Sequence, residues 1–249
     1  MDARNIPVIV AHRGASRDAP ENTLAAFEKA WEQGADAIEG DFRLTADNQV
    51  VCIHDANTRR VAGKSRWVSR CSLEELQTLD CGSWKNASFS GQRIPTLAAF
   101  LDSVPPGKTA LLELKTGPQI VEPLIEALEN HLIDSARLTF ISFHASSLAA
   151  LKEHRPELNT RWLHEFPHSP DTLELRKTLA TVRACGASSL GLSALPLPTD
   201  AFAKALQDAG ISLHVWTVDE PDLARQWIRL GAKSLTTNVP ARLRQSLSG

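Results

Sequence analysis

The sequence predicts an α/β fold closed as a (β/α)8 TIM barrel, with a small insertion after the second strand. Three observations carry that expectation. Short apolar or β-branched runs alternate with amphipathic helical patterns along the whole of the 249 residues. Eight strand-plus-helix units can be counted, which favours a closed parallel barrel over an open doubly wound sheet. Most strand-to-strand steps are roughly 20 to 30 residues, the length a barrel unit requires. No GxGxxG or GxxxxGK(S/T) run is present, which counts against the nucleotide-binding α/β folds.

The strand candidates in order are PVIVA from Pro7, AIEGDF from Ala37, ALLELK from Ala110, LTFISF from Leu138, TRWL from Thr160, SLGLS from Ser189, LHVWTV from Leu213 and SLTTN from Ser234. Amphipathic segments separate them, beginning with TLAAFEKAWEQG and ending with VPARLRQSLS. Several open with Ser, Thr, Asp or Asn and close on Gly, as helix ends tend to. In Pro20-Glu21-Asn22-Thr23, either Asn22 or Thr23 is expected to cap the first helix. One step is too long. Between Arg43 and Arg93 lie a short strand VVCIH, a helix SLEELQTL and a polar stretch CGSWKNASFSGQR. This surplus, about residues 43–93, reads as an insertion on the catalytic side of one domain spanning 1–249, since loops after strands are where barrels accept additions.

Composition sets limits on function. Apolar residues make up 43% and charged residues 22%, with a net charge of −2. Nothing there supports a partner bound by bulk electrostatics, whether nucleic acid or membrane surface. The segment MDARNIPVIVAHRG lacks the pattern of a signal peptide, and no run approaches transmembrane length. Cys52, Cys71, Cys81 and Cys185 show neither CxxC pairing nor metal-finger spacing, so free thiols in a reducing, cytoplasmic setting are expected.

The chemistry gathers at strand ends. Glu39 and Asp41 sit two apart on the second strand, and Glu113 and Lys115 repeat that spacing on the third, so each pair points to one side. Uncompensated buried charge is costly in a barrel interior. A divalent cation with oxygen ligands, Mg²⁺ or Ca²⁺, accounts for three converging acids; a ring of structural salt bridges with Arg13 and Lys115 is the alternative. His12 ends the first strand and His54 ends VVCIH, and two histidines flanking the acids suit a general acid and a general base. Arg13 offers a planar fork to a phosphate, and Gly14 permits a sharp turn. Glu21 can complement the first helix dipole. His131, His154, His164 and His168 are assigned to helices or loops with no partner motif. His144 follows a strand end, and His214 is expected to pack.

Taken together and in order, AHRG, PENT, IEGDF, VVCIHD and LLELK resemble the glycerophosphodiester phosphodiesterase family of the phospholipase C-like phosphodiesterase barrels. The resemblance covers nearly the whole chain, insertion included. It implies metal-dependent cleavage of small glycerophosphodiesters to glycerol 3-phosphate and an alcohol. By motif, Glu39, Asp41 and Glu113 would ligate the metal, His12 and His54 would be the acid–base pair, and Arg13 and Lys115 would hold phosphate oxygens. Trp216 would line the substrate pocket. Some positions depart from the usual pattern: Asp219 stands where Asn is common, Asn238 where Asp is common, and Phe42-Arg43 follows the second acid in place of a small apolar residue and a variable one. The competing expectations are a lysophospholipase D or sphingomyelinase D type of the same superfamily, and a barrel that binds phosphodiesters without cleaving them.

Overall fold

The computed structural model describes residues 6–248. Eight parallel strands close on themselves. They are β1 (Val8–Ala11), β2 (Ala37–Leu44), β4 (Thr109–Leu114), β5 (Leu138–Ser142), β6 (Asn159–His164), β7 (Ser189–Ser193), β8 (Ser212–Trp216) and β9 (Ser234–Thr237). Each pairs with the next, and β1 closes the ring by pairing with both β2 and β9, through Val10↔Ala37 and Ala11↔Thr237. The expected barrel and all eight of its strands are present.

A ninth strand, β3 (Val50–Cys52), lies antiparallel to the far end of β2, with Phe42 opposite Cys52 and Leu44 opposite Val50. That partner is why β2 runs two residues beyond the expected Phe42: the hairpin supplies hydrogen bonds past the point where the barrel ends. His54 therefore stands two residues after β3 rather than at its end. The rest of the insertion folds over its own small core, with Val61 of α2 (Arg59–Ala62) and Leu76 of α3 (Leu73–Gln77) packed among Val51, Ile53, Val68 and Ile94. Ser72 and Glu75 close a capping box at the start of α3. The insertion leaves from the carboxyl end of β2, the side on which barrels carry their sites.

Helices α1 (Leu24–Glu32), α4 (Leu97–Asp102), α5 (Val121–Glu129), α6 (Ala145–His154), α7 (Thr172–Ala184), α8 (Asp200–Asp208), α9 (Pro221–Arg229) and α10 (Pro240–Ser248) surround the sheet. Strand alternation sorts the side chains. Ile38, Leu112, Leu114 and Phe140 point outward into a core with Phe27, Phe100 and Leu124. Leu190, Leu213, Val215 and Leu235 do the same against Phe202, Leu206 and Trp227. Inside the barrel, Val10, Ala37, Leu111, Ile141 and Leu163 form a smaller apolar plug. Thr23 caps α1, its hydroxyl accepting from the Ala26 amide. This leaves Asn22 free for another task.

A further expectation is corrected. His164 lies in no loop; it is the last residue of β6, because the strand extends one residue past TRWL while still paired to Leu192 of β7. The four cysteines are free and buried, as expected. No helix among the described residues is long and apolar enough to cross a membrane.

Phe100 is fully buried where α4 meets the sheet, and its ring meets Phe27 and Phe42 edge-on, with centroids 4.9 and 5.1 Å away. Phe100→Ala should destabilise the protein by about 3–5 kcal/mol, measured by denaturant unfolding, through lost burial and the cavity left behind.

Candidate active site

Every candidate site residue except Asp41 lines one cavity of about 330 Å³ at the carboxyl ends of the strands: His12, Arg13, Glu39, His54, Glu113, Lys115 and Trp216. Asp41 is fully buried beside them, on the same face of β2 as Glu39. Alternation on β2 and β4 turns Glu39, Asp41 and Glu113 inward, and one carboxylate oxygen of each lies within 4.8 Å of the others. Two of their oxygens, Glu39 Oε1 and Asp41 Oδ1, are buried without a hydrogen-bond partner. Converging carboxylates with unfilled lone pairs match what a hard divalent cation takes as ligands, so these residues fit such an ion.

The cluster is held by cations and by the backbone. Arg13 and Gly14 both adopt left-handed backbone, with φ of 57° and 78°. A Cβ on Gly14 would lie 2.5 Å from the Ala26 carbonyl carbon, so the turn requires glycine. The turn aims the Arg13 amide at Glu39 Oε2 (2.9 Å) and its guanidinium at Glu21 (3.0 Å) and Asp41 (3.1 Å). The Lys115 ammonium is 2.7 Å from Glu113 and 3.5 Å from Asp41. Asn22, expected as a possible cap, instead turns its amide onto Asp41: Nδ2 donates to Oδ2 at 2.8 Å, and Oδ1 accepts from the Asp41 amide at 3.2 Å.

The same surroundings split the three acids. Burial opposes ionisation of Asp41, but Arg13, Lys115 and His54 outweigh it and hold that carboxyl down at about 2. Burial and the neighbouring charges of Asp41 and Glu113 push Glu39 well above the ordinary carboxylate range. Burial and Asp41 push Glu113 up to about 7, against the pull of Lys115.

Both histidines are held by their Nδ1 atoms. His12 Nδ1 lies 2.8 Å from Asn238 Oδ1, and Asn238 in turn donates from Nδ2 and its backbone amide to Asp219, each at 2.8 Å. Two of the departures noted in the sequence are thus in contact, and together they orient one imidazole. Because the Asn238 amide donates to Asp219, its oxygen faces His12 and accepts, which assigns the His12 proton to Nδ1. His54 Nδ1 lies 2.7 Å from Asp55 Oδ1. Asp55 is fixed by Arg60 of α2 (2.7 Å), and Arg60 also grips Glu21 with two bonds of 2.6 and 2.8 Å. A continuous chain of contacts, a hydrogen bond from His54 to Asp55 and then ion pairs through Arg60, Glu21 and Arg13, therefore joins the insertion to the barrel. Burial, then the charge of Arg13, lowers His12 to about 4. Burial lowers His54 as well.

The sequence did not single out Asn22, Arg60 or Asn238 as supports for this site. Nor did it find Phe143, which meets Trp216 edge-on at 5.3 Å to form one wall, or Arg161 in the cavity lining. His214, expected only to pack, also faces the cavity and bonds to Ser234 Oγ at 2.7 Å. Period-two alternation from the inward-facing Leu163 or Trp216 was the signal that could have found Arg161 and His214. His144 stands at the start of α6, and it is its neighbour Phe143 that reaches the cavity.

A model of the glycerophosphoryl diester phosphodiesterase family matches residues 12–242. The chain belongs to this family. Its relatives in that family of phosphoric diester hydrolases include a glycerophosphodiester phosphodiesterase of Caldanaerobacter subterraneus, 31% identical over 95% of this chain and 96% of the relative. A solved glycerophosphodiester phosphodiesterase from Agrobacterium tumefaciens is 27% identical, with a TM-score of 0.80 over 96% of this chain and all of the other. An Oleispira antarctica phosphodiesterase, solved in complex with its product sn-glycerol-3-phosphate, shares the fold with a TM-score of 0.89 over 98% of each chain, at 24% identity.

Two outcomes are expected. Asp219→Ala should free the Asn238 amide to turn, so that the nitrogen chemical shifts of His12, read by NMR, move from one tautomer to a mixture. Glu39 lies above its ordinary range, so at pH 8 it must ionise at a cost to the fold or stay protonated. Glu39→Gln in chelator at pH 8 should therefore raise Tm, while the stabilisation that Mg²⁺ or Ca²⁺ gives the unaltered protein should be lost from the variant.

Proposed function

We propose that this family member hydrolyses glycerophosphodiesters to glycerol 3-phosphate and an alcohol, with a divalent cation as cofactor and His12 and His54 as the proton-transfer pair. One observation carries the reading: two imidazoles, each anchored through Nδ1, flank three converging buried carboxylates in a single cavity. Glu39, Asp41 and Glu113 would hold Mg²⁺ or Ca²⁺. When bound, the ion would offset negative charge building on a non-bridging phosphate oxygen.

The chain's own residues do the rest. Anchoring each Nδ1 leaves each Nε2 for proton work. His12 has a neutral amide as its support and sits beside Arg13, so burial and charge keep it unprotonated; it suits the base that takes the nucleophile's proton. Burial lowers His54 too, but its carboxylate partner at 2.7 Å opposes that lowering where His12 has only a neutral amide, so of the two His54 is better suited to the acid that returns a proton to the leaving alkoxide. Lys115 and the remaining face of Arg13 hold phosphate oxygens, and Trp216 with Phe143 shields the substrate from water. The substrate is small, in keeping with a cavity of about 330 Å³. Free, buried thiols fit a reducing compartment, which supports a cytoplasmic location.

The test is release of glycerol 3-phosphate from glycerophosphoglycerol, glycerophosphoserine, glycerophosphoethanolamine and glycerophosphocholine, with and without chelator. Chelation should abolish release, and added Mg²⁺ or Ca²⁺ should restore it. His12→Ala and His54→Ala should each lower kcat about 100- to 10,000-fold, the range for a well-placed acid or base. Absence of release with every substrate and ion would overturn the reading.

A further inference from the structure

Arg161 faces the inside of the barrel from β6, which stands across the ring from β1 and its His12. It is 7% exposed. Among the described residues no hydrogen bond or ion pair engages its guanidinium, and its buried Nε has no partner. The other cations of the cavity are different. Arg13 and Lys115 each have a carboxylate within about 3 Å, at 3.0 and 2.7 Å. No carboxylate contributes to the state of Arg161, whose basicity burial alone draws down to about 9. A buried charge without a counter-charge is costly, and proteins pair such groups.

The surroundings are shaped to hold this side chain. A Cβ added at Gly191 would lie 2.6 Å from Leu163 and 3.2 Å from the Arg161 stem, with Trp216 next at 3.6 Å. The missing side chain on β7 is what lets the arginine lie along the cavity wall beneath Trp216. Next to it His214 is tied through Nδ1 to Ser234 and stays uncharged by burial and by the nearness of Arg161. That leaves the guanidinium as the charged group of this side of the cavity.

Resting on the diesterase reading above, we propose that Arg161, seated over Gly191, is an oxyanion subsite for the alcohol side of the substrate. The preferred diester carries a carboxylate or a second phosphate on its alcohol. The anion cannot belong to the glycerol, which has none. A cationic alcohol would meet the unpaired guanidinium and be disfavoured; a neutral one would leave its charge uncompensated. A planar fork with free donors is suited to either oxyanion.

Four uncleaved phosphate monoesters test this by calorimetric titration in millimolar Mg²⁺: 2-carboxyethyl phosphate, ethane-1,2-diyl bisphosphate, 2-hydroxyethyl phosphate and 2-aminoethyl phosphate. One or both of the first two should bind about 10- to 100-fold more tightly than the last two, the span of a charge-assisted hydrogen-bonded pair. Which of them leads tells carboxylate from phosphate. Arg161→Gln should erase the preference and Arg161→Lys should restore part of it. The same preference should hold in kcat/KM when the corresponding glycerophosphodiesters are compared. Equal binding of all four, binding of none, or an undiminished preference in Arg161→Gln overturns the subsite. Intact discrimination without hydrolysis of any diester supports the subsite and overturns the diesterase reading instead.

Discussion

Three carboxylates are forced into one buried patch, and much of the surrounding structure answers that constraint. Glu39 and Asp41 share a face of β2, and Glu113 follows on the neighbouring strand, paired in register with Asp41. Like charges this close in a low-dielectric site cannot all ionise without compensation. Each nearby oddity supplies part of it: the left-handed turn at Arg13 and Gly14, the amide of Asn22 on Asp41, the ammonium of Lys115 on Glu113. Even so, two carboxylate oxygens stay without a hydrogen-bond partner. A cluster so held is stable enough to fold around and still receptive to a cation.

The histidines are fixed from two different directions. His12 is oriented from within the barrel, through Asn238 and Asp219 at the end of β9 and after β8. His54 is oriented from the insertion, through Asp55 and Arg60. Arg60 then returns to Glu21 and so to Arg13, which touches the acids. The insertion thus contributes one of the two cavity histidines, the second member of the proposed proton-transfer pair, and is tied electrostatically to the other side of the site. Loss of its position would move His54 and loosen the hold on Arg13 together.

The interior of the barrel is uneven in character. Its β1–β5 half contributes acids over an apolar plug of Val10, Leu111 and Ile141, whereas β6–β9 bring Arg161, His214, Ser234 and Thr236 inward. A diester seated between them meets the carboxylate cluster on one side and an unpaired guanidinium on the other. This asymmetry gives the cavity a direction, and it is the basis of the proposed discrimination on the alcohol side.

The barrel itself was legible in the sequence, because period-two alternation and regular spacing are local properties that each strand carries alone. So were His12, Arg13, Glu39, Asp41, His54, Glu113 and Lys115, charged or titratable groups on or just beyond apolar strands, where little but chemistry requires them. Local pattern misread the residues whose roles depend on a distant partner. Asn22 looked like a helix cap until Asp41 stood opposite it, and Asp219 and Asn238 were separate departures until the fold placed them in contact. His214 and Arg161 looked like packing or nothing, since an inward-facing polar residue is informative only when its neighbours are known to leave it room and no counter-charge. The sequence by itself determined which groups could do chemistry and on which strands they ride. The tertiary structure decided which proton each imidazole keeps, which acid ionises and where an unpaired charge remains, because those depend on burial and on contacts between segments far apart in the chain.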